Sequence, residues 1–305
     1  MWFLALIAAL ALGTTGCNSC EPGAAPQPTA SAGTGPDAPP RPGEPRALEF
    51  IAADGARLAG DFHPAPTPRS PALVLIHRSG ADRSEWQPLM GRLERASKRY
   101  GTLRFDLRGH GKSAISADTG APAEAAELFA RDVDAAIQRA VEETSATSVV
   151  LVGSSLGATL AARVAFRQPL VSAIALVSPG AAIQGADLYR AYAEVRNLPT
   201  FIAAAADDTV AREPLRALGK MAMAGTSKTY AGEVHGAGFL GERHVEFWQD
   251  LEAWLMSVHD ESPRERRSLY YAEGLSPDSA PKGAKDRAQA TRSRSDSNAA
   301  AGKQE

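Results

Sequence analysis

Residues 149–157 read Val149-Val150-Leu151-Val152-Gly153-Ser154-Ser155-Leu156-Gly157. Four consecutive branched apolar residues are what a strand covered on both faces requires. A Gly-x-Ser-x-Gly pattern follows at once, and a helix is expected from Ser155 to about Arg167. Alone, the pattern is weak. Between a buried strand and a helix it describes a sharp turn that lifts the Ser155 hydroxyl above the sheet. Glycine is needed on both sides because neighbouring segments crowd such a turn. The N-terminus of the following helix favours negative charge developing beside the hydroxyl.

The same alternation of strand and helix recurs on both sides of this stretch. Asp54-Gly55 marks a hairpin between residues 47 and 64. Ala72 to Ile76 is a second continuous apolar strand. A helix follows, with Ser84 and Gln87 as a capping box and Trp86, Leu89, Met90 and Leu93 as its apolar face. Strands are expected at 102–107, 174–177, 201–205 and 227–231. Helices are expected at 122–143, 187–196, 211–223 and 242–257, the first of these with Leu128, Val133, Ile137 and Val141 on one face. The result is an α/β domain over residues 47–260: a mostly parallel sheet of about eight strands, with helices on both faces.

The flanks read differently. Residues 2–12 are an apolar run too short to span a bilayer, and Thr14-Thr15-Gly16-Cys17 resembles a lipoprotein cleavage box. Residues 1–16 are therefore expected to be a signal peptide and Cys17 the lipidated residue, with plain export to the periplasm or medium as the alternative. Residues 21–46 hold eight Pro and four Gly, so 17–46 reads as an extended tether. Residues 261–305 lose the apolar pattern and read as a polar, disordered tail.

Composition narrows the classes. With 33 Lys+Arg against 35 Asp+Glu, the chain lacks the basic excess of a general nucleic-acid binder. Two cysteines near the N-terminus, Cys17 and Cys20, exclude a disulfide framework and a Cys-ligated zinc domain. Gly111-Lys112-Ser113 is not a phosphate loop, because Asp106 stands where the first glycine is needed. No metal or cofactor is expected.

In such sheets the site lies beyond the carboxyl ends of the strands. The residues found there are His77, Asp106, Ser155, Ser178, Asp207 with Asp208, and His235. A serine hydroxyl needs a base to take its proton, and the base needs an acid to hold its tautomer. Ser155, then an aspartate, then His235 follow in an order that supplies both. Asp207 is favoured as the acid and Asp208 is the rival.

Four segments carry a family resemblance: Leu75 to Gly80, Asp106-Leu107-Arg108-Gly109-His110-Gly111-Lys112-Ser113, the Ser155 turn, and His235-Gly236. Together the chain resembles the serine esterase, lipase and peptidase-like branch of the α/β-hydrolases. The resemblance implies an oxyanion hole built from the backbone N–H of Leu156 and one from the loop after Ile76, with Arg78 as the candidate. It implies that the Asp106–Ser113 segment is structural. A serine in the turn implies an acyl-enzyme, hence esters, thioesters or amides. The short span between Val177 and Thr200 leaves space for one small helix and no large cap, which suits small or polymeric esters. A carboxylesterase is the favoured reading. An amide hydrolase or acyltransferase of the same fold, and a non-catalytic tethered scaffold, are the alternatives.

Overall fold

A computed structural model describes residues 44–260, apart from 66, 68, 97–98, 114–121, 184 and 242. The expectations for the signal segment, for Cys17, for nearly all of the tether and for the tail fall outside the described residues. Among the described residues, no helix is long and apolar enough to cross a membrane.

The centre of the molecule is an eight-stranded sheet. Its middle strand, β5 (Val149–Ser154), is buried throughout and lies between β3 (Ala72–Ile76) and β6 (Val171–Val177), parallel to both. Beyond β3 come β4 (Gly101–Phe105), β2 (Arg57–His63) and β1 (Arg46–Ile51). Beyond β6 come β9 (Thr200–Ala205) and β10 (Gly225–Tyr230). β2 pairs antiparallel with both β1 and β4, and every other pairing in the sheet is parallel.

Each central strand serves two cores because successive side chains point to opposite faces. From β3, Ala72, Val74 and Ile76 join one core and Leu73 and Leu75 the other. The first core receives α2 (Pro122–Thr144), α3 (Leu156–Ala165) and α5 (Arg212–Met221). The second receives α1 (Gln87–Ala96) and α6 (Val245–Asp260), through residues such as Leu89, Phe247, Leu251 and Leu255.

Two local expectations are corrected, and a third is filled out. The cap ahead of α1 is Asp82, whose carboxylate accepts the Ser84 N–H at 2.7 Å. Residues 83–86 then form a 3-10 turn before the α-helix begins. On α2 the fully buried stripe runs through Phe129, Val133 and Ile137, while Leu128 is only half-buried. Between β6 and β9 a two-residue hairpin, β7 (Ala182–Ile183) and β8 (Ala186–Asp187), precedes α4 (Leu188–Ala193). Leu188 and Tyr192 are fully buried in the first core, so α4 packs into the domain and does not form a cap.

Candidate active site

Ser155 occupies the turn between β5 and α3. Its backbone is at φ 51 and ψ −106, a left-handed conformation costly for a non-glycine residue. The turn is held by the Ser155 N–H donating to the Val177 carbonyl at 2.9 Å. The flanking glycines are sterically required. A Cβ on Gly153 would stand 2.1 Å from the Gly157 carbonyl oxygen, and one on Gly157 would stand 2.1 Å from that of Ile76. This close approach of α3 to β3 and β5 brings the serine to the sheet edge.

His235 lies in the segment between β10 and a 3-10 turn at 236–240. Its Nε2 is 2.9 Å from Ser155 Oγ, and its Nδ1 is 2.8 Å from Asp208 Oδ2. A carboxylate only accepts, so this contact puts the proton on Nδ1 and leaves Nε2 free to accept the Ser155 O–H. Ser155 and Asp208 are almost fully buried, while the His235 side chain is about one-third exposed. One side of the imidazole is thus open to solvent.

The expectation that favoured Asp207 is corrected here. Asp207 is exposed, and its N–H donates to the Gly232 carbonyl at 3.0 Å. The chain turns after β9, with the Asp208 N–H reaching back to the Ala205 carbonyl at 3.3 Å, and this swings Asp208 inward. Asp208 then does two things with its two oxygens. Oδ2 faces His235, while Oδ1 accepts the N–H groups of Val210 and Ala211 at 3.0 and 3.1 Å. The second pair of bonds fixes the carboxylate and orders the approach to α5.

The two expected oxyanion donors differ. Leu156 begins α3, and an N–H at that position has no intrahelical acceptor. The Arg78 N–H, in contrast, donates to Glu85 Oε2 at 2.8 Å and does not stand open toward a substrate oxygen. The Arg78 guanidinium also turns to Glu85, at 2.9 Å from Oε1. Glu85 therefore takes up both groups of Arg78. Nothing local in the sequence marks Glu85, because its partners lie in separate segments.

The remaining family segments build the frame. The His77 Nδ1–H donates to the Arg78 carbonyl at 2.7 Å, and Nε2 accepts the Leu107 N–H at 3.0 Å. Burial pushes the His77 pKa down, which keeps this doubly bonded imidazole neutral. Asp106 accepts the Arg83 N–H at 2.7 Å, the Lys112 N–H at 2.8 Å and the Arg83 guanidinium. Arg108 bonds Asp132 of α2 and Asp54 of the β1–β2 turn. The Arg108 bond and charge hold the Asp54 carboxyl below its usual range. Ser113 Oγ donates to the Asp106 carbonyl at 2.6 Å and accepts the Ala59 N–H at 3.0 Å. These bonds tie the Asp106–Ser113 segment to β2, to α2, to the β1–β2 turn and to the residues just ahead of α1. Among the described residues, no group of three His, Cys, Asp or Glu side chains could hold a metal ion.

Residues 73–294 match the alpha/beta hydrolase family, and the chain belongs to it. Solved structures share the fold at low identity. An esterase from Pyrococcus furiosus superposes with a TM-score of 0.60 at 15% identity, over 71% of this chain and 91% of its own. An esterase from Exiguobacterium antarcticum gives 0.56 at 16%, over 68% of this chain and 99% of its own. A thermophilic esterase from Thermogutta terrifontis gives 0.55 at 15%, over 70% and 99%. A comparison with curated protein sequences gives no match. The chain is thus a hydrolase of the α/β fold, and the described residues between β6 and β9 form no large cap domain.

Proposed function

We propose that this hydrolase works through a serine acyl-enzyme and that its substrates are small or accessible carboxylic esters. The observation that carries the reading is the unbroken chain from Ser155 Oγ through His235 to Asp208, with contacts of 2.9 and 2.8 Å. His235 Nε2 takes the Ser155 proton as Oγ attacks the ester carbonyl carbon. The carbonyl oxygen becomes an oxyanion, met by the Leu156 N–H at the head of α3. Asp208 stabilises the imidazolium without taking its proton. As the tetrahedral intermediate collapses, the C–O bond to the leaving group breaks and His235 returns the proton to the departing alkoxide. Water then repeats the sequence on the acyl-enzyme and releases the acid. The open side of His235 supports hydrolysis over transfer, because water has a way in.

The same reading takes the enzyme to be exported and tethered through a lipid on Cys17, supported by Gly16-Cys17 behind the apolar run. Two tests separate these statements. Nitrophenyl esters of graded acyl length, with the matching anilides, should show ester turnover by the full chain and none by Ser155→Ala. Equal rates for the two proteins would refute the mechanism. Fatty-acid labelling that persists in Cys17→Ser would refute the anchor.

A further inference from the structure

We propose that Glu85 is a positioning residue for the Ser155 centre, holding three site-bearing segments in register; the proposal rests on the serine-hydrolase reading above. The Glu85 side chain is 4% exposed, at the end of the 3-10 turn before α1. Oε2 accepts the Arg78 N–H at 2.8 Å, which fixes the loop after β3. Oε1 accepts Ser154 Oγ at 3.2 Å, which fixes the residue directly before the nucleophile. Oε1 also accepts the Arg78 guanidinium at 2.9 Å.

The third segment is the turn after His235. Gly236 has φ 61, and a Cβ there would meet Ser154 Oγ at 2.6 Å, Arg78 Cδ at 3.3 Å and Glu85 Oε1 at 3.6 Å. The His235 loop therefore rests directly on the Glu85 cluster. One buried carboxylate joins the neighbour of the nucleophile to the loop beside the oxyanion position, and the neighbour of the base has no space for a side chain against that pair.

The charge matters as well as the shape. A carboxylate accepts all three donors, whereas a glutamine offers one acceptor oxygen and turns an NH2 group on the remainder. The Arg78–Glu85 ion pair alone is a poor reason to place a carboxylate here, because the Arg78 side chain is 42% exposed and such pairs add little stability. The partly buried bonds to the Arg78 N–H and to Ser154 Oγ adjoin the reacting groups, and these explain the placement. Misplacing reacting groups by about 1 Å costs on the order of 100-fold in rate.

The test is the rate of fluorophosphonate inactivation of the full chain, with intact mass as the count of reacted sites, alongside kcat per titrated site on a nitrophenyl ester. For Glu85→Gln we expect full stoichiometry at Ser155, an inactivation rate and a per-site kcat both lower by about 10- to 100-fold, and a KM within about threefold of the parent. A residue that only stabilises the fold would lower the melting temperature and the number of titratable sites but leave the per-site rate unchanged. That result overturns the proposal. Should Glu85→Gln fail to fold, Ser154→Ala decides, since it removes one donor from the cluster. A per-site rate below the parent's supports the proposal, and the parent's rate overturns it. A folded parent that never reacts refutes the serine-hydrolase reading itself, and the proposal with it.

Discussion

Asp208→Asn is the perturbation that probes the site most selectively. Asparagine keeps an oxygen that can go on accepting the N–H groups of Val210 and Ala211, so the turn into α5 should persist. The atom facing His235 Nδ1, now 2.8 Å from a carboxylate oxygen, becomes an amide nitrogen. Two donors cannot face each other, so the imidazole moves its proton to Nε2. That nitrogen can then no longer accept the Ser155 hydroxyl proton across the 2.9 Å contact. In triads where the geometry survives and the tautomer is wrong, kcat falls by about 10⁴, or about 5.5 kcal/mol of transition-state stabilisation. Asp207→Asn touches an exposed carboxylate with no contact to His235, and the expected change in kcat is within about twofold, as for surface substitutions generally. The assay is kcat on a nitrophenyl ester for both variants, with circular dichroism to confirm the fold. Comparable losses in the two variants, or the larger loss in Asp207→Asn, would refute the assignment of the acid.

Three further outcomes concern the frame. Gly157→Ala should destabilise the domain by at least about 1–3 kcal/mol, because its Cβ would lie 2.1 Å from the Ile76 carbonyl oxygen; an unchanged denaturation midpoint would contradict that packing. Asp132→Asn leaves Arg108 buried with a weakened partner and should cost about 3 kcal/mol, or roughly 6–12 °C in melting temperature, while the kcat of the folded fraction holds. A melting temperature within 2 °C of the parent, taken here as about 1 kcal/mol or less, would show that the pair is not a structural brace. Burial sets the His77 pKa below its ordinary 6.5, so below pH 6.5 the unfolded chain binds a proton that the folded chain refuses. Stability should therefore fall as pH drops from 6.5 toward the lower folded value. The loss between pH 7 and 5, measured by urea denaturation, should be smaller in His77→Gln, and an equal loss would contradict this.

The central strands were legible because burial on both faces leaves an uninterrupted apolar run, as in Ala72–Ile76 and Val149–Val152. The Ser155 turn was legible because its glycines answer to steric contacts that any such turn makes. The choice between Asp207 and Asp208 was not, since adjacent carboxylates at one strand end differ only in how the chain turns after Ala205. Glu85 was invisible for a related reason. Its partners Arg78, Ser154 and Gly236 are drawn from three segments up to 158 positions apart in the chain, and no local pattern joins them. The cap ahead of α1 was misplaced because a 3-10 turn between Asp82 and Gln87 mimics the first turn of an α-helix.

The most direct measurement is intact mass after treating the full chain with a fluorophosphonate, with Ser155→Ala and His235→Ala as controls. The parent should gain a single adduct, Ser155→Ala none, and His235→Ala should react far more slowly. A folded parent that gains no adduct, or a Ser155→Ala variant that gains one, would contradict this.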